Sequence, residues 1–293
     1  MIRWMLLVLV GACSYGILST FVKFAYDEGY QVGDVVNSQM MFGAAMLWIL
    51  ALLFGRNRPT RNEWLTLLAV GIPTGLTGIL YYASLQYLDA SLAIVVLFQF
   101  TWIGVLLDSL LERKRPGRDR LIALVLLLSG TVLAGGLVEN SLTAFSFTGA
   151  GLGLLAAISY ALQILFSGKA ALRVNDWSRS AIMMTGSMLL CFIVYPPAFL
   201  LNGTLADGLW LWGLLLALFG AILPTLLFNV GVPKIGVGLS SILGAAELPT
   251  AVLLSSFVLQ EAFSLLQWAG VALILVGVAL PELLRKKQSA VQL

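Results

Sequence analysis

The residues able to do chemistry in this chain are one acid and a set of amides and phenols, all set in stretches that are otherwise apolar. Glu247 sits in the middle of the apolar run 236–258. Holding an ionised side chain at the centre of a bilayer costs roughly 2.5–3.5 kcal/mol on insertion scales, so an acid kept there invites a functional reading. It could exchange protons or pair with a substrate ammonium group; the bland alternative is a protonated acid bonded to neighbouring helices as glue. Pro249, two residues on, lacks an N–H and is expected to free a carbonyl one turn back for a ligand or water. Gln99 and Trp102 are three residues apart, as are Tyr160 and Gln163, so on helices each pair shares a face. Tyr15, Tyr82 and Asn229 complete the set, beside Ser14, Asn37, Gln39 and Tyr81. Amides and phenols are costly against lipid, so these faces should turn inward and line a central cavity. Tyr82, Trp102 and Tyr160 would then be stacking walls, and Gln99, Gln163 and Asn229 amide contacts. Each is equally compatible with a packing role between helices.

The elements that must position these residues are helices that cross a membrane. The chain has 293 residues, 60% apolar and 11% charged, whereas soluble domains run near half apolar and a quarter charged. Ten apolar runs can be read, at 4–26, 33–54, 63–87, 90–111, 120–138, 147–169, 179–201, 208–231, 236–258 and 264–281. About 20 residues span a bilayer as a helix. With ten spans, sixteen of the seventeen Lys and Arg residues fall on one side, Lys23 being the exception. Arg3, Arg56, Arg58, Arg61, the group Arg113 to Arg120, Lys169, Arg173, Arg179, Lys234 and Arg285 to Lys287 mark that side as cytoplasmic. The alternate gaps carry Asp27, Glu28, Asp34, Asp89, Glu139, Asp207 and Glu261. The expected fold is an all-α polytopic membrane protein with both termini cytoplasmic, in the cell (inner or plasma) membrane.

Composition also excludes function classes. The chain has no histidine and two cysteines, Cys13 and Cys191, each inside a run. Metal sites built on His and Cys, a disulfide, and Ser-His-Asp or Cys-His chemistry therefore have no basis, and neither an enzyme nor a cofactor is expected. The net charge of +3 reflects topology, and no basic stripe interleaved with aromatics points to nucleic acid. Val10-Gly11-Ala12-Cys13 looks like a lipoprotein cleavage site, but the apolar run continues to Phe24, so the segment reads as a first spanning helix. The expected partners are a small-molecule substrate and the lipid bilayer. The fifth and tenth runs carry no charge over 121–138 and 265–280 and read as lipid-facing supports or a dimer surface, in a monomer or homodimer.

Five helices per half reverse the direction of corresponding helices, which is the arrangement of inverted-topology transporters. The expected division is a first repeat at 1–138, an external linker at 139–146, a second repeat at 147–284 and a cytoplasmic tail at 285–293. Leu121–Gly130 aligns with Trp268–Gly277 at an offset of 147, sharing two leucines and the glycine. Ser14-Tyr15 and Ser159-Tyr160 repeat at an offset of 145. Gly and Pro interrupt the third run around Pro73 and the eighth around Pro224, and paired interruptions point to a central site. Pro73, Pro224 and Pro249 are the expected hinges.

These residues resemble the EamA-like branch of the drug/metabolite transporter superfamily over essentially the whole chain. Ala245-Ala246-Glu247-Leu248-Pro249-Thr250, followed by Leu259-Gln260-Glu261, is similar to the ninth helix of that family, and Gln267–Gly277 to its tenth. Val22-Lys23-Phe24-Ala25 and Asp89-Ala90-Ser91-Leu92-Ala93 resemble the end of its first helix and the entry to its fourth. Phe100-Thr101-Trp102 loosely resembles the YddG-type aromatic amino-acid exporters, with no comparable match in the second half. Many members carry an Arg in helix two, where this chain has Gln39-Met40-Met41-Phe42. The resemblance implies a secondary transporter exporting amino acids or related small metabolites by alternating access. Helices one, three, four, six, eight and nine would line its cavity. Export of multiple drugs or cationic compounds, or flipping of a lipid carrier, is the alternative.

Overall fold

A computed structural model describes residues 1–55, 59–88, 90–113, 117–134, 146–258 and 264–291. Among them there are helices and turns but no strand. The helices are α1 (Ile2–Asp27), α2 (Val32–Phe54), α3 (Arg61–Ser84), α4 (Ala90–Leu97), α5 (Phe100–Glu112), α6 (Arg118–Ala134) and α7 (Phe147–Ser167). They continue as α8 (Asp176–Val194), α9 (Trp210–Ala217), α10 (Leu223–Ile235), α11 (Val237–Gly244), α12 (Glu247–Val258) and α13 (Leu265–Val291). Seven helical stretches of at least 18 residues are apolar enough to cross a membrane, and three shorter apolar helices match the fourth, fifth and tenth runs. The chain is a multi-pass membrane protein. Asp89, Glu139, Glu261, Arg56, Arg58, Lys114, Arg115 and the linker stretch 139–145 lie outside the described residues. Helix α13 continues past 284 through most of the stretch read as a tail.

Local chemistry sets the helix starts. Thr60 caps α3 in a reciprocal box with Glu63, Ser146 accepts from the Gly149 N–H at 3.2 Å, and Asn175 from the Trp177 N–H at 3.0 Å. The Asn175 cap corrects the seventh run. Its helix begins at Asp176 and stops at Val194 before Pro196 and Pro197, instead of spanning 179–201. Arg179, expected as the first residue of its run, thereby becomes the fourth residue of its helix.

The breaks also fall elsewhere than expected. Helix α3 runs unbroken through Pro73, whose own carbonyl accepts from the Thr77 and Ser159 hydroxyls at 2.8 and 2.9 Å. The eighth run is continuous but widened: a π-helical turn at Leu218–Ile222 joins α9 to α10, and Pro224 follows at the start of α10, where a missing N–H is tolerated. The interrupted spans are the fourth, between Leu97 and Phe100, and the ninth, between Gly244 and Glu247. In both, the ladder slips to three-residue bonds, as in Gln99 N–H to Val96 O at 3.2 Å and Ala246 N–H to Leu243 O at 3.1 Å. Gln99 and Ala246 are 147 residues apart, the offset that aligns the fifth and tenth runs.

Packing repeats in the same way. Helix α1 lies on α10 as α3 lies on α7, and α2 on α9 as α3 on α8. Helix α1 meets α11 and α12 as α7 meets α4 and α5, while α6 pairs with α13 and α2 with α8. Beside a smaller one of Leu67, Val70, Val174, Ile182 and Met183, two large apolar clusters result. One gathers α4–α7 and α10–α13, the other α2, α3, α8 and α9, with α1 contributing to each; Tyr81 packs against both. The bundle has two ends. At the Asp27 end, the Trp212 indole donates to Glu28 at 2.7 Å and the Asn37 amide to the Tyr195 carbonyl at 2.6 Å. At the Arg61 end, Arg173 grips both carboxylate oxygens of Glu63 at 3.1 and 2.9 Å.

Candidate functional site

A cavity lies where the two large clusters meet. Its walls come from α1, α2, α3, α4, α7 and α12, with Gly220 of the π turn closing one side. The sequence reading left out α2, which contributes Gln39 and Met40. On α3 the wall runs from Thr74 to Tyr82 and on to Leu85 beyond its end; on α1 it runs from Tyr15 to Val22. The space therefore extends from the middle of the bundle toward the Asp27 end. Its volume, counted at the centres of water-sized spheres, is about 80 Å3. At roughly 10–15 Å3 per water this is room for several waters or a small molecule.

Glu247 opens α12 and lines this cavity. The position follows from the break before it: the first N–H groups of α12 face the end of α11, and the positive end of the helix dipole favours a carboxylate there. Helix α1 reaches α12 at Gly16, where an added Cβ would lie 2.5 Å from the Glu247 carbonyl oxygen and 2.7 Å from the Thr250 side chain. Only a residue without a side chain fits that crossing. The carbonyl expected to be freed by Pro249 is that of Ala245, and the Leu248 N–H takes it at 3.3 Å. Slippage to a three-residue bond removes the vacancy that a ligand was expected to fill.

Tyrosines surround the acid. The Tyr160 hydroxyl donates to Glu247 Oε2 over 3.4 Å, a long contact. Tyr15 meets the Tyr160 ring edge-on at 5.7 Å and accepts from the Gln163 amide at 3.2 Å. Behind Tyr160 the Phe100 ring lies 4.4 Å away. Across the cavity the Tyr82 hydroxyl donates to Gln39 Oε1 at 3.1 Å. The Gln39 amide nitrogen occupies the space where a Cβ at Gly220 would stand, 2.6 Å from it. Among the described residues that line the cavity Glu247 is the one acid, and none is Lys or Arg.

Of the residues singled out from sequence, the cavity brings together Glu247, Tyr15, Tyr82, Tyr160 and Gln163. It does not include Gln99, Trp102 or Asn229. Trp102 is 37% exposed, and its indole N–H is satisfied by Gln99 Oε1 at 2.8 Å. In an unbroken helix Trp102 would share a face with Phe98, four residues earlier; the break after Leu97 turns it away and leaves Phe98 in the wall. Asn229 is 1% exposed in α10 and donates to the Ser180 hydroxyl at 2.7 Å, so its amide is spent on a helix contact. Phe98 was missed as a wall residue, and Gln39 and Tyr81, expected to turn inward, line the cavity without having been given a role there. The partner of Gln39 is Tyr82, and pairing across 43 residues leaves no local spacing signal. No group of three His, Cys, Asp or Glu among the described residues could hold a metal.

Comparison with known proteins gives this geometry its setting. A family model described as the EamA-like transporter family matches twice, at residues 2–136 and 147–281. An "Uncharacterized transporter" of Archaeoglobus fulgidus is 28% identical over 275 residues, covering 92% of this chain and 93% of that protein. The "Uncharacterized inner membrane transporter YicL" of Salmonella typhimurium is 26% identical over 295 residues, covering 96% and 95%. A solved structure titled "Crystal structure of protein" superposes with a TM-score of 0.78 at 18% identity, covering 98% of each chain, which shows the fold.

Proposed function

Since this chain belongs to the EamA-like transporter family, we propose that it exports amino acids or related small metabolites bearing an ammonium group, by alternating access through the Glu247 cavity. The observation that carries this is a single carboxyl facing a small cavity walled by tyrosines. A carboxylate and aromatic faces are what an ammonium group needs once it leaves water. Tyr15, Tyr82 and Tyr160 supply the faces, Gln39 and Gln163 the hydrogen bonds that orient a polar ligand. A transporter also needs a second arrangement of the same site. The two family matches, the breaks 147 residues apart and the repeated helix pairings support ten spans in two inverted five-helix repeats. Rocking one repeat against the other would close the Asp27 end and open the Arg61 end.

The basic loops support a cytoplasmic assignment for both termini, in the inner or plasma membrane. With cysteines introduced singly at Asn140 and Asn57, both outside the described residues, the first should label from outside intact cells and the second should not. The reverse pattern would overturn the orientation.

A second reading, export of cationic compounds, is favoured by the absence of Lys and Arg among the described residues of the cavity wall, which offer a substrate carboxylate no cationic partner. Uptake and efflux in proteoliposomes should compare amino acids with the corresponding amines lacking the carboxylate. Transport of the amino acids supports the first reading; transport of the amines alone selects the second. Movement of neither class would defeat both.

A further inference from the structure

Arg179 is 2% exposed, the largest fully buried side chain among the described residues. It lies in the first turn of α8, where the helix dipole disfavours a cation. Two backbone carbonyls hold it there. One is that of Ser167, 3.4 Å away, the last residue of α7, whose carbonyl has no partner within its own helix. The other is that of Asn229 in α10. In a helix this carbonyl would accept from the N–H four residues on, but that residue is Pro233, which has none. A helix end and a proline thus leave two acceptors free, and one guanidinium nitrogen, Nη2, donates to both.

The cluster ties three helices at the Arg61 end. The Asn229 side chain adds a bond to Ser180 of α8, and Asp176 stands 3.6 Å from Arg179 as a half-exposed counter-charge. Phe228, the residue before Asn229, packs 6.1 Å from Tyr15, whose ring lines the cavity. The tie is incomplete: Arg179 Nε and Asn229 Oδ1 are buried without a hydrogen-bond partner. A buried contact that leaves polar atoms unmatched costs less to separate than one fully satisfied.

We propose that Arg179 is the latch of the Arg61 end: its hold on the Asn229 and Ser167 carbonyls keeps that end shut while the cavity faces the Asp27 end, and its release lets α10 part from α7 and α8. This rests on the alternating-access reading, and makes Arg179 a positioning residue with no contact to substrate.

The test reads conformation directly. A single cysteine replaces Ile164, 1% exposed one turn before Ser167, or Leu85, at the other end of the cavity, in a background with Cys13→Ala and Cys191→Ala. A membrane-impermeant maleimide is applied from the matching side of oriented vesicles. If the closed form dominates, Arg179→Gln should raise labelling of Ile164→Cys by at least about tenfold and lower that of Leu85→Cys. Arg179→Lys keeps a charge for the two carbonyls, which Nη2 alone serves, but loses the second nitrogen that faces Asp176, and should fall between. Pro233→Ala is the independent probe: it returns an N–H to the Asn229 carbonyl, so labelling at Ile164→Cys should rise while the melting temperature holds or increases. Unchanged labelling in Arg179→Gln and Pro233→Ala would overturn the latch. So would a rise at both reporters, or loss of fold in both variants, since each assigns Arg179 a purely structural role. Ends that switch in a chain moving none of the tested substrates would count against the transport reading and leave the latch standing.

Discussion

Glu247 and Arg179 are both enclosed by the helical bundle, yet their surroundings differ in kind. Glu247 faces open space, with one 3.4 Å hydrogen bond from Tyr160. Arg179 does not line that cavity and is gripped by two backbone carbonyls and Asp176. A buried charge whose partners are all protein belongs to the packing of the helices. One left under-coordinated beside a cavity has room for a partner that is not protein. The contrast separates the residue that would bind a ligand from the residue that would decide which end of the bundle is open.

The largest expected effect tests that separation on stability. Arg179→Ala strands the Ser167 and Asn229 carbonyls inside the bundle, and should cost on the order of 3 kcal/mol of stability, since removing one side of a buried polar set is strongly destabilising. Glu247→Ala loses one long hydrogen bond and enlarges an existing cavity, so its thermal midpoint in detergent should fall by much less. Equal losses would erase the distinction. A smaller effect contrasts wall and exterior. Tyr160→Phe removes the hydroxyl that touches Glu247 and should reduce transport by several-fold, about 1 kcal/mol for one hydrogen bond. Trp102→Phe, outside the cavity, should stay within about twofold of wild type, the range of a substitution away from such features. A loss in Trp102→Phe matching that in Tyr160→Phe would return Trp102 to the site.

How much of this was legible in the sequence follows from the same two residues. Glu247 stood out because an acid in an apolar run is rare whatever surrounds it. Arg179 did not, because it sits at the edge of a run and was read with the loop cations; the Asn175 cap and the Pro196-Pro197 stop, which draw its helix back to Asp176, outweigh the apolar pattern. The spans themselves were legible from hydropathy, their interruptions less so. Gly and Pro around Pro73 pointed to a break in α3, yet hydroxyls of Thr77 and Ser159 brace that helix. The break at Gln99 has neither Gly nor Pro beside it, because slippage to three-residue bonds is open to any residue type. Gln99 and Trp102 share a face as their spacing implies, but the break turns that face away from the cavity.

The central claim, that the Glu247 carboxyl faces the cavity to bind an ammonium group or a coupling proton, is met most directly by Glu247→Gln in proteoliposomes. The amide keeps size and hydrogen bonding and removes the ionisable group. Transport of the best substrate should fall by at least about tenfold, equivalent to about 1.4 kcal/mol, and any response to a pH gradient should vanish while the protein folds and purifies as wild type. A Gln variant with wild-type, pH-responsive transport would contradict the account and make Glu247 part of the helix packing.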